Sequence, residues 1–124
     1  MPKYFIYARK STESEERQQL SIPAQLDELR DFAKKQNLEV VDTFIESKTA
    51  KTPGRKIFNQ MIEKIKSGEA DGILSWHADR LARNAVDAGE IINLLDTGKL
   101  VDLKFPTGDF QNNPSGKFML SINF

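Results

Sequence analysis

The sequence predicts an α/β fold: a mainly parallel central sheet of about four to five strands, flanked by helices. Three observations carry that expectation. Short apolar, β-rich runs alternate with stretches whose apolar residues recur at helical spacing, in the order βαβαβαβ. Helix-capping and helix-stopping residues fall at the joins between them. At 124 residues and 39% hydrophobic, the chain suffices for one domain with one core.

Tyr4-Phe5-Ile6-Tyr7-Ala8 is a compact apolar run that reads as a buried strand. Lys10 to Gln19 is polar and without apolar period, and reads as loop or weak helix. Ser21 suits an N-cap with Pro23 in the first turn, and Ile22, Leu26, Leu29 and Phe32/Ala33 follow at helical spacing. Leu38 to Ile45 is the second strand. Thr52 and Pro53 fit the N-cap and first position of a second helix, with Ile57, Phe58, Met61, Ile62 and Ile65 as its apolar face and Gly68 as its stop. Gly72 to Trp76 is the third strand. Asn84 with Asp87 resembles a capped helix start, Val86, Ile91, Leu94 and Leu95 form that helix's apolar face, and Gly98 ends it. Val101 to Phe105 is the fourth strand. Crossovers between parallel strands are right-handed. After a loop at Asp109–Pro114, Ser115 can cap a helix carrying Phe118, Met119 and Ile122, and the chain stops at Phe124 inside that element. The expectation is one domain over 1–124, truncated at the start of a long C-terminal helix and part of a longer protein.

Composition narrows the chemistry. There are no cysteines, which removes disulfides, thiolate metal sites and cysteine nucleophiles. His77 is the single histidine, so a Ser-His-Asp triad could run only through it. Eighteen basic residues balance 18 acidic ones, so the domain has no overall basic field for a polyanion. An anion site here must be a local cluster of arginines. No apolar run reaches the roughly 20 residues that span a bilayer, and the start lacks the apolar stretch of a signal peptide. The expected location is the cytoplasm, with no membrane partner.

In open α/β sheets, sites form beyond the carboxyl ends of the strands. The first strand leads into Tyr7, Arg9 and Ser11, which share one face if the strand continues. The second ends at Glu46, followed by Lys48, Thr49 and Arg55. The third ends at His77, Asp79, Arg80 and Arg83, the two arginines lying one helical turn apart. Guanidinium is planar, permanently charged and bidentate, so arginines gathered beside a hydroxyl suit a phosphate or a phosphoryl-transfer state. Taken singly, each residue has an ordinary reading. Ser11 is a loop serine, Arg9 a solvated charge, Asp79-Arg80 a surface ion pair. Glu46 is an exposed carboxylate, Tyr7 a core residue with its hydroxyl at the rim, and Trp76 packing. Their coincidence at one rim is what points to a site.

Five stretches resemble one family. Tyr7-Ala8-Arg9-Lys10-Ser11-Thr12 resembles the Y-x-R-x-S-T opening of serine recombinase (resolvase/invertase) catalytic domains. Leu20-Ser21-Ile22-Pro23-Ala24-Gln25 resembles the S-I-x-x-Q start of their first long helix. Gly54-Arg55, with Phe58 and Met61, matches the region of an active-site arginine. Asp79-Arg80-Leu81-Ala82-Arg83 resembles D-R-L-x-R, and Gly116-Lys117 the start of the helix used in subunit association. The match spans essentially the whole chain in order, and the long loop before Gln25 is most similar to the large serine recombinases and integrases of mobile elements. The chain departs from the family at Glu46, where aspartate is usual, at Thr49, where serine is frequent, and at His77, where relatives often carry a basic residue.

The resemblance implies a site-specific DNA recombinase that cleaves and rejoins DNA through a 5′-phosphoserine link. Ser11 is then the nucleophile, Arg9, Arg80 and Arg83 the phosphate site, and Arg55 an assisting arginine. Tyr7, Gln25, Glu46, Thr49 and Asp79 are supporting residues, and His77 is a candidate DNA contact. The general base stays open between Glu46, Asp79 and His77. The implied partners are double-stranded DNA, bound by the full-length protein, and further copies of the chain as dimer or tetramer; no cofactor, metal or ATP is implied. The alternative within the same fold is a non-catalytic assembly module. A flavodoxin-like small-molecule or phospho-acceptor domain is disfavoured, since the loop after the first strand has neither glycine nor paired acids.

Overall fold

In the computed structural model, the residues described are 2–11, 21–48, 56–76, 81 and 85–106. They form β1 (Lys3–Ser11), α1 (Ile22–Gln36), β2 (Glu39–Lys48), α2 (Lys56–Lys66), β3 (Gly72–Ser75), α3 (Ala85–Asp96) and β4 (Asp102–Lys104). The four strands make one sheet in the order β2-β1-β3-β4, and every pairing is parallel. Both the βαβαβαβ order and the parallel sheet are as the sequence predicts. Expectations that fall on Thr52, Pro53, Asn84 and the C-terminal helix of Ser115, Phe118, Met119 and Ile122 lie outside the described residues.

Two clusters cover the sheet's faces. On one, Phe5 and Tyr7 of β1, Phe44 of β2, Ile73 of β3 and Leu103 of β4 pack with Phe58, Met61, Ile62 and Ile65 of α2 and Ile91, Leu94 and Leu95 of α3. The Phe5 and Phe44 rings meet edge to face at 4.8 Å, and Tyr7 meets Phe58 the same way at 5.8 Å. On the other face, Ile6, Ala8 and Leu74 pack with Leu26, Leu29 and Ala33 of α1. The helical periodicities read from the sequence thus become the buried stripes.

The caps explain the helix limits. Ser21 Oγ accepts from the Ala24 amide at 3.3 Å, as an N-cap should. At the other end of α1, Asn37 takes the left-handed conformation, φ 61°, and its amide reaches the carbonyls of Ala33 and Lys34. Gly68 and Gly98 follow α2 and α3 with φ of 87° and 79°, values that favour glycine.

Two features differ from the sequence reading. β1 does not end near Ala8 but runs to Ser11, each residue from Phe5 onward matched in register to one of β2. Lys10 and Ser11 are therefore strand rather than loop, because β2 offers them a ladder that no periodicity in their own segment reveals. The second is a bulge. Tyr4 pairs with Val40, but Phe5 pairs with Asp42, so Val41 is an extra residue in β2. Side chains alternate along a strand, and one inserted residue reverses their sense. Val40 accordingly packs on the α1 side, whereas Phe44 lies in the α2–α3 cluster. Glu46, two residues on, follows Phe44 to that face.

At the opposite end of the sheet, Tyr4 lies across Gly72 and donates its hydroxyl to Asp102 Oδ2 at 2.7 Å, tying β1 to β4 over β3. A Cβ on Gly72 would stand 2.5 Å from the Tyr4 ring, so glycine is what lets the ring pass. Burial first, then the hydrogen bond and the negative charges of Asp102 and Asp71, hold the Tyr4 hydroxyl well above the usual tyrosine range.

Candidate active site at the carboxyl ends of β1 and β2

The strand order defines where a site belongs. The chain steps from β1 to β2 on one side and then crosses to β3 on the other, so β1 and β3 flank the topological switch point. The β1–β3 register ends at Tyr7 with Ser75, whereas β1 stays paired to β2 as far as Ser11 with Lys48. The last residues of β1 thus stand on the rim of a crevice.

Tyr7, Arg9 and Ser11 occupy alternate positions of one continuous strand, which satisfies the condition set by their spacing. Tyr7 is fully buried, and its hydroxyl donates to Glu46 Oε1 beneath α2 rather than standing at a solvent rim. Arg9 is buried, 5% exposed, and is the register partner of Glu46. Buried cations are rare and depend on compensating groups around them.

Glu46 is no exposed carboxylate: it is 3% exposed. Oε2 accepts from the Ile57 amide at 3.0 Å, and Oε1 accepts from the Phe58 amide at 3.3 Å as well as from Tyr7. Ile57 and Phe58 are the second and third residues of α2, whose amides lack intrahelical partners. Glu46 therefore caps α2 from a neighbouring strand and places a negative charge at the positive end of its dipole. The chain immediately before that cap carries Thr49 and Arg55.

Gln25 is the other buried polar residue named from the sequence. From the first turn of α1 its Nε2 donates to the Arg9 carbonyl at 3.1 Å. Ser75 was not singled out by the sequence reading. It is fully buried at the end of β3, and its Oγ donates to the Tyr7 carbonyl at 2.9 Å. The one available signal was a hydroxyl closing the otherwise apolar run Gly72-Ile73-Leu74. Trp76 follows, half-buried at the same rim.

The structure thus brings Tyr7, Arg9, Gln25 and Glu46 together at the end of β1, and carries the strand through Ser11. Thr49, Arg55, His77, Asp79, Arg80 and Arg83 lie outside the described residues. Leu81, between those last arginines, is fully buried in the α2–α3 cluster. The described half of the arrangement can fix a rigid strand end and a helix start around one buried guanidinium.

The model of the resolvase N-terminal domain matches residues 4–123. No curated protein matches by sequence. Among solved structures, the chain is similar to a resolvase family site-specific recombinase from Streptococcus pneumoniae, with 26% identity, 99% of this chain and 85% of that one covered, and a TM-score of 0.76. It shares its fold with the N-terminal catalytic domain of TP901-1 integrase, at 24% identity, TM-score 0.72, and 97% and 89% coverage. It also shares it with the C-terminal catalytic domain of ISC1926 TnpA, an IS607-like serine recombinase, at 18% identity, TM-score 0.66, and 97% and 78% coverage.

Proposed function

This chain belongs to the resolvase N-terminal domain family, and from that premise we propose that it is the catalytic domain of a site-specific DNA recombinase using Ser11 as nucleophile. The observation that carries the reading is a continuous β1, with Arg9 buried two residues before Ser11 at the switch-point rim. Ser11 Oγ attacks a DNA phosphorus and gives up its proton. The bond to the 3′ oxygen breaks, and that oxygen departs as a 3′ hydroxyl. The product is a 5′-phosphoserine ester, so one phosphoester replaces another and religation by a 3′ hydroxyl needs no ATP. Arg9, Arg80 and Arg83, with Arg55, hold the non-bridging oxygens as charge builds on them.

The environment of Glu46 bears on the base. Its oxygens already serve the α2 amides and Tyr7, which suits a positioning role and leaves Asp79 and His77 as the candidates for taking the Ser11 proton. Thr49 and Gln25 are supporting residues. With its acids and bases balanced, the domain grips DNA locally, and sequence reading falls to another part of the protein. Cleavage needs several copies acting on two duplexes.

The test uses the complete polypeptide and duplexes tiled across the ends of the genetic element that encodes it. A protein–DNA species that survives denaturing electrophoresis, forms in EDTA and is absent for Ser11→Ala is expected, with DNA retention by that variant preserved. Adduct formation by Ser11→Ala would remove the assignment.

A further inference from the structure

Carbonyls two residues apart along a strand project from the same edge. On β1, the Tyr7 and Arg9 carbonyls are such a pair, and each accepts from a side chain. Ser75 Oγ reaches Tyr7 O at 2.9 Å and Gln25 Nε2 reaches Arg9 O at 3.1 Å. Both donors are fully buried. They sit where the β1–β3 register stops, at the pair Tyr7–Ser75. From there to Ser11, the backbone partner of β1 among the described residues is β2 alone. Side chains thus take over the carbonyls on the flank that β3 served further down.

We propose that Ser75 is a positioning residue for the Ser11-bearing end of β1. Its hydroxyl fixes the peptide after Tyr7, so that Arg9 and Ser11 leave the sheet at one height above the crevice. Gln25 holds the next carbonyl of that edge from α1, and Ser75 is the complementary hold from β3. The role rests on the recombinase reading, and it acts through backbone placement, not through contact with DNA. A strand end free to shift by even about 1 Å loses much of the gain from preset geometry, so cleavage is where the hydroxyl matters.

The test compares Ser75→Ala, Ser75→Thr and Ser75→Val in the complete polypeptide with the same tiled duplexes. Threonine and valine have the same shape and differ in the hydroxyl, so equal crowding in the buried site cancels between them. Adduct formation is expected to slow about tenfold in Ser75→Ala and in Ser75→Val relative to Ser75→Thr. DNA retention should stay within about twofold for all three. Valine matching threonine in cleavage rate, or alanine matching the wild type, overturns the proposal. A second readout is amide exchange at Arg9–Ser11, which should quicken in the alanine and valine variants while that of α3 is unchanged. If the wild type forms no adduct, the recombinase reading fails by itself, and exchange at those amides decides whether Ser75 holds the strand. Equal exchange in threonine and valine variants then rejects it.

Discussion

Glu46 shows how a single side chain can join three elements. Sitting on β2, it receives the hydroxyl of Tyr7 from β1 and two amides from α2. Truncation would leave buried donors without acceptors, and that loss outweighs the value of the bonds themselves. Glu46→Ala should lower the unfolding free energy by about 3 kcal/mol, measured in urea. Tyr7→Phe keeps the ring against Phe58 and removes one donor, so its cost should be about 1 kcal/mol. Equal losses for the two variants would mean that the helix cap contributes nothing. Among residues named from the sequence, Tyr7 and Glu46 belong to the rim by the strand ends that carry them and Gln25 by family resemblance, and their contacts came from the structure. Nothing in the letters around Glu46 tells a helix cap on a distant segment from a carboxylate in solvent.

At the scale of elements, the sheet separates stability from chemistry along its length. Its amino end is held by Tyr4 passing over Gly72 to Asp102, far from Ser11 along β1. Gly72→Ala must displace that ring and should cost about 1–3 kcal/mol in unfolding experiments, as overpacking does, with adduct formation per folded molecule unaltered. Loss of cleavage in a fully folded Gly72→Ala would contradict the separation. Tyr4 also sets an alkaline limit. Its hydroxyl titrates above the ordinary 10.0, so the folded state retains a proton that the unfolded chain releases. That contribution is complete below pH 10 and fades as pH climbs toward the folded value. Unfolding free energy should therefore decline above about pH 10, and Tyr4→Phe should flatten the decline. The element order and the apolar stripes of α1, α2 and α3 were legible because periodicity reports burial directly. The extent of β1 was not, since Lys10 and Ser11 owe their strand conformation to β2, which lies some 35 residues away in sequence.

For the molecule as a whole, the two faces of the sheet carry the stability and the surface charges contribute little. The ion pairs Lys35–Asp31 and Lys66–Glu90 join exposed side chains, where water and salt weaken them. Raising salt from about 0.1 to 1 M should scarcely move the urea midpoint, while DNA retention by the complete polypeptide should fall steeply. Ile91→Ala and Leu29→Ala, one in each cluster, should each cost about 2–5 kcal/mol. The parallel fold and its switch-point rim followed from element order alone, since topology dictates which strand ends meet. The parity of β2 did not. Val40 and Phe44 stand an even number of residues apart yet face opposite sides of the sheet, because Val41 is extra, and excision of Val41 alone would leave a regular ladder with Phe44 and Glu46 still on the face of Tyr7 and α2. Homologous chains that keep a glutamate or aspartate there can therefore lack that one residue between it and the strand's beginning and still turn the carboxylate to the same side. For this locus, a one-residue gap in an alignment would mark where the bulge sits, not a change in the direction of the acid.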